Sequence, residues 1–119
     1  MGQLDTRTAP GIALHIVAGP GVPDAARESA AEMIGRLVAA VARPVPYAEV
    51  VLTLDEDPAH QRGALVEVSL DVVGAPVRAC VAAADHCQAI DRVGAVLLRR
   101  VHLQHEWITT RLYASARRQ

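Results

Sequence analysis

VEVSLDVVGAPVRACVAAADHCQAIDRVGAVLLRR, residues 66–100, is the stretch whose reading decides the fold. Val66, Val68, Leu70 and Val72 alternate with Glu67, Ser69 and Asp71. Val77, Ala79 and Val81 alternate with Arg78, Cys80 and Ala82. A period of two is the mark of a strand with one buried face. Gly74-Ala75-Pro76 turns the chain between the two runs. Beyond Asp85 the period changes. Ile90, Val93, Leu97 and Val101 recur at three- and four-residue spacing, the stripe of an amphipathic helix. Asp85 is the residue type that caps such a helix. A hairpin followed by the helix that covers it is the minimal reading of this stretch.

The same signals extend toward the N-terminus. Residues 12–17 alternate, with Ile12, Leu14 and Ile16 toward the core and His15 outward. Gly19 to Pro23 breaks that strand. A helix then starts at Pro23 or Asp24, with Asp24 as its cap and Glu28 in its first turn. Ala30, Ile34, Leu37 and Val41 form its stripe, and Pro44 and Pro46 end it. Residues 49–55 form a second strand, with Val50, Leu52 and Leu54 inward. The polar run 56–63 is a loop. The third and fourth strands cover 65–73 and 77–84. The expected architecture is a two-layer α+β domain, β-α-β-β-β-α. Its four-stranded mixed sheet carries two helices packed on one face. The two strands joined through the first helix should be parallel and the others antiparallel. Residues 1–11 read as a flexible leader, 12–108 as the α+β domain, and 109–119 as a basic C-terminal tail or linker.

Composition narrows the class. The chain has 119 residues, of which 51% are hydrophobic, enough for one core. No apolar run spans a membrane. The N-terminal residues carry Asp5 and Arg7 and lack a signal-peptide pattern. Cys80 and Cys87 are too few for a disulfide framework and are expected as reduced thiols in a cytoplasm.

The net charge of −1 conceals an asymmetry. Residues 1–91 hold six Arg against twelve acids, whereas residues 92–119 hold six Arg against Glu106 alone. The basic residues are all Arg. A guanidinium grips phosphate through two hydrogen bonds and stacks on bases, so this asymmetry is a hint of nucleic-acid or membrane contact. The outward sheet face offers no route to RNA. It reads as His15, Glu49, Val51, Thr53, Glu67, Ser69, Asp71, Arg78 and Cys80, with carboxylates and no aromatic ring on which to stack a base. Its carboxylates read as a solvated surface. The helices are the better candidates: Arg92 and Arg99 share one face of the second, Arg99, Arg100 and His102 extend it, and Arg36 and Arg43 share a face of the first. Scattered Arg on any helix surface is the rival explanation. Cys80, His86, Cys87, His102 and His105 are zinc-competent types, but their spacing is not that of a structural site; Cys87 reads as a small semi-buried residue and the two histidines as surface. No phosphate loop and no nucleophile elbow is present.

Glu67, Gly74, the small and apolar run 77–84, Asp85 and Ala89-Ile90-Asp91 follow one another in a distinctive order. In that order the chain resembles the ribosome hibernation promoting factors, the ribosome-associated inhibitor or sigma-54 modulation family. The resemblance covers roughly residues 12–106 and is specific mainly in 66–100. It implies the β-α-β-β-β-α fold and a ribosome-binding domain over 12–108. It further implies binding to the small ribosomal subunit and the 70S ribosome, through rRNA in the mRNA and tRNA channel, and inhibition of translation under stress or dormancy. Catalysis, a cofactor, a metal, a membrane, DNA and a small-molecule substrate are not expected. Arg99 falls at a family basic position, while Val96 stands where the family usually has Lys. Arg27 and Arg36 fall near basic positions of the first helix. With Arg92, Arg100, His102 and Arg111 these make the expected RNA-binding set. The region around Trp107 is similar to the N-terminal domain of long, dormancy-associated actinobacterial forms. Without their further domain, the chain would be expected to act without pairing ribosomes. A protein-interaction module working through the sheet edge or helices is the alternative from another class.

Overall fold

A computed structural model describes residues 3–9, 12–41, 44–55, 63–72 and 75–117, with side chains at 12–41, 44–55, 63–72 and 76–104. The elements are β1 (Gln3–Ala9), β2 (Ile12–Ala18), α1 (Asp24–Ala40), β3 (Tyr47–Leu54), β4 (Ala64–Val72), β5 (Ala75–Ala83) and α2 (His86–Arg117). From β2 onward this is the β-α-β-β-β-α order and α+β layering that the sequence implies. The four expected strands form a mixed sheet: β2 and β3 pair in parallel, β3 with β4 and β4 with β5 antiparallel.

One strand was not expected. Gln3–Ala9, read as a flexible leader, pairs antiparallel with β2, Thr6 opposite His15. The full sheet therefore has five strands in the order β1-β2-β3-β4-β5. The residues of β1, QLDTRTA, lack an apolar face. Period-two hydrophobicity cannot reveal a polar edge strand.

The alternation of each strand sets its phase. Ile12, Leu14, Ile16, Val50, Leu52, Val66, Val68, Leu70, Val72, Val77 and Ala79 are all buried. α1 packs on β2 and β3, and α2 on β4 and β5. Ile90, Val93, Leu97 and Val101 supply the buried stripe of α2, each at most 1% exposed. From α1 the core receives Ala26, Ala30, Met33, Ile34 and Leu37.

The helix ends differ. The Gln88 amide donates to Asp85 Oδ1 at 2.8 Å, so Asp85 caps α2 as its residue type implies. In α1 the cap position belongs to Pro23, which makes no side-chain cap bond, and Asp24 sits one residue further in as the acid of the first turn. There it favours the positive end of the helix dipole. α1 stops at Ala40, before Pro44 and Pro46. α2 continues through residues expected to form a tail, as far as Arg117.

Gly94 sets the spacing of the two helices. A Cβ there would lie 3.1 Å from Met33 Cγ. A glycine at the crossing lets α2 approach α1 more closely than a larger residue would permit.

Candidate nucleic-acid interface

The two sheet faces differ in chemistry. The face away from the helices carries Glu49, Glu67 and Asp71, with Arg78 as its basic residue among the described side chains. Its strand register places Glu49 opposite Ser69, Glu67 opposite Cys80 and Ser69 opposite Arg78. One expectation about this face is corrected. β3 starts at Tyr47, two residues earlier than the alternation suggested, and so an aromatic ring is present. Tyr47 is 37% exposed and lies tilted against His15, ring centroids 5.3 Å apart. Its hydroxyl donates to Glu49 Oε2 at 3.2 Å. Asp71 stands opposite it in the register. A Tyr47–His15 ring pair set among carboxylates is a poor platform for a polyanion.

The helical layer separates the expected basic residues into groups. Arg92 and Arg99 are both exposed. Seven residues apart, they share a face of α2, about 10.5 Å apart along its axis. Exposed Gln88 and Leu103 belong to the same ridge, with His102 beside it, and Leu103 is 54% exposed.

Arg100 departs from that ridge. One residue beyond Arg99, it is rotated about 100° around the helix, toward the sheet edge. Its guanidinium donates to the backbone carbonyl oxygen of Arg78. It shares a surface hollow with Glu67, Arg78 and Cys80. Arg100 thus covers part of the open edge of β5, where strand amides and carbonyls lack a neighbouring strand.

Arg27 and Arg36 do not share a face of α1. Nine residues apart, they lie about half a turn out of phase. Arg27 is partly buried and lies 3.5 Å from Asp24 Oδ1. Arg36 is exposed on the flank toward α2, where it lines a cleft with Asp91. Exposed Glu32 lies one turn before Arg36 on the same flank of α1, with exposed Glu28 a further turn back. Arg43 lies outside the described residues, and α1 ends before reaching it. Arg111 is within the α2 backbone, but its side chain is outside the described set. Of the expected basic residues, Arg92 and Arg99 share one exposed ridge of α2 with His102 beside it, and Arg36 stands apart on α1 across a cleft from Asp91.

The zinc-competent residues disperse. Among the described residues, no three His, Cys, Asp or Glu side chains gather as a metal-binding group. Cys80 lies on the outer sheet face and Cys87 in the first turn of α2. Both are exposed free thiols, and in this Cys87 departs from the semi-buried reading. His86 is buried, and its Nε2 lies 2.9 Å from the Thr53 carbonyl oxygen, tying α2 to β3. Sequence reading missed this structural role, because a histidine next to a helix cap carries no periodic signal of burial. Among the described residues no helix is long and apolar enough to cross a membrane.

Neither a protein-family model nor a curated protein matches the sequence. Solved structures do. The N-terminal domain of Thermus thermophilus Protein Y is 29% identical, covering 74% of this chain and 90% of that one at a TM-score of 0.59. The fold is similar to that of the Protein Y N-terminal domain. A ribosomal subunit interface protein from Coxiella burnetii aligns with a TM-score of 0.61, covering 78% of this chain and 97% of that one. At 14% identity the Coxiella likeness is one of fold. The Protein Y likeness is also carried by sequence, and it agrees with the resemblance read from Asp85 and Ala89-Ile90-Asp91.

Proposed function

We propose that this chain is a ribosome hibernation factor. It binds the small ribosomal subunit through its helical layer and inhibits translation under stress or dormancy. The observation that carries the reading is the Protein Y N-terminal fold at 29% identity. The charge distribution supports it. Arg92 and Arg99 form an exposed basic ridge on α2, apart from the exposed acids Glu28 and Glu32 of α1, while Glu49, Glu67 and Asp71 belong to the opposite sheet face. A phosphate is attracted to that ridge and repelled by the carboxylates of the sheet face.

The proposed mode of action is occupancy without catalysis. The helical layer sits against rRNA in the mRNA and tRNA channel, and its bulk excludes both ligands. Arg92 and Arg99 neutralise backbone phosphates, and Arg36 adds a contact from α1. Arg100 is committed to the β5 edge and contributes less. Each neutralised phosphate adds to affinity and steepens the loss of binding with salt.

Co-sedimentation with purified small subunits across a salt series tests the proposal. Binding at low salt that falls steeply as salt rises is the expected result. Absence of co-sedimentation at low salt, or no inhibition of cell-free translation at saturating protein, overturns it.

A further inference from the structure

We propose that the cleft between α1 and α2 takes up an unstacked guanine base of RNA. The inference deepens the ribosome-binding reading and rests on it. The cleft measures about 320 Å³ and includes Met33, Arg36, Leu37, Asp91, Gly94 and Leu98 in its lining. That is within the size range of small-ligand sites. Its floor is apolar, supplied by buried Met33 and Leu37 and half-buried Leu98. Gly94 contributes no side chain, and Met33 packs against its backbone, so the two together close the floor of the cleft.

Two charged groups lie on opposite walls. Arg36 comes from α1 and Asp91 from α2, both exposed. The position of Asp91 is informative. It faces the same cleft as Arg36, and a carboxylate repels phosphate. It accepts hydrogen bonds well from the N–H groups of a base edge.

Guanine is the base that matches both walls. Its adjacent N1–H and N2–H donors meet the two oxygens of a carboxylate, and its N7 and O6 acceptors meet the fork of a guanidinium. Adenine and cytosine each place a ring-nitrogen lone pair beside the amino group, where a carboxylate is repelled. Uracil flanks its single N–H with two carbonyl oxygens. Arg92 and Arg99 stand on the adjoining ridge of α2, placed for the phosphates on either side of the inserted base. Single-stranded RNA is commonly read this way, by splaying a base out of its stack into a protein pocket.

The test uses amide NMR on the intact chain with four pentanucleotide RNAs, UUGUU, UUAUU, UUCUU and UUUUU. UUGUU should shift the Asp91, Gly94 and Ala95 amides saturably and bind about tenfold more tightly than the others, as one good bidentate contact provides. Asp91→Asn should erase the preference for UUGUU. Ala95→Leu, at an exposed position at the cleft mouth, should block cleft shifts with all four while the thermal midpoint stays unchanged. Equal binding of all four RNAs at the cleft, or no cleft shift with any, overturns the proposal. Co-sedimentation keeps the two readings apart. Small-subunit binding that Ala95→Leu leaves unchanged sinks the cleft and spares the ribosome-binding reading. Failure of the unaltered chain to bind subunits sinks that reading, and the oligonucleotide arm still decides the cleft.

Discussion

The guanidinium of Arg100 donates to the backbone carbonyl oxygen of Arg78, closing part of the open edge of β5. This bond separates two neighbours in sequence, Arg99 and Arg100, into different tasks. Arg100→Ala should cost about 0.5–1.5 kcal/mol of folding stability, the usual net value of one hydrogen bond. It should leave the salt dependence of small-subunit binding close to that of the unaltered chain. Urea unfolding and co-sedimentation measure the two effects separately.

Arg99→Ala should do the reverse. Binding should weaken by about 1 kcal/mol or more, and the slope of log affinity against log salt should fall by about one contact. Arg78→Ala, which removes a side chain from the acidic face, should change binding little. Equal losses for the two variants would place the interface on the wrong side of the sheet.

Leu97 is fully buried under α2. Leu97→Ala should destabilise the fold by roughly 2–5 kcal/mol, the range for a large-to-small change in a packed core. A denaturant midpoint that does not move would contradict the helix phase.

Gly63 faces the Asp55 carbonyl oxygen so closely that a Cβ would collide with it, and the same pair is joined by an Asp55 N–H to Gly63 carbonyl bond of 2.8 Å. Gly63→Ala must displace backbone and should cost about 1–3 kcal/mol. Gly35→Ala meets no neighbour within 4 Å. It should be neutral or stabilising, by up to about 1 kcal/mol, because alanine favours the helix. Thermal unfolding of the two variants gives the comparison.

The phenol of Tyr47 is held above its ordinary value by desolvation, then by its hydrogen bond to Glu49 and the charge of that carboxylate. Ionising it would place a second negative charge beside Glu49. In a Tyr113→Phe background, ultraviolet titration should give a midpoint above that of free tyrosine, and Glu49→Gln should lower it. A midpoint insensitive to Glu49→Gln would remove the carboxylate as a cause.

Where apolar periodicity exists, the sequence declares the structure. Val66 to Val72 and Val77 to Val81 give the strand phase, and Ile90, Val93, Leu97 and Val101 give the phase of α2. Asp85 is legible as a cap because its type and its place ahead of the stripe agree. β1 is illegible for the opposite reason: an edge strand with little to bury carries no hydrophobic period. The basic residues are only partly legible. Spacing sets Arg92 beside Arg99, as expected, but it also separates Arg27 from Arg36 by half a turn, and the expected set groups those two. The diversion of Arg100 depends on where the edge of β5 lies, which is a tertiary fact. Tyr47 joined the outer face only because β3 begins before its alternating run.

Strand neighbours in this sheet are also neighbours in the chain, β1 through β5 in order. Folding therefore needs no strand to wait for a distant partner. The loops to be closed are short, except for the α1 crossover between β2 and β3. Such local wiring favours rapid folding for a mixed sheet. It also fixes what remains unfinished. Until α2 docks, Val66, Val68, Leu70, Val77 and Ala79 lie uncovered on a two-faced sheet, an aggregation hazard for any chain interrupted before Val101. The segment that seals the core is the one that carries Arg92 and Arg99. The basic ridge is thus assembled in the same step that covers the apolar face of the sheet.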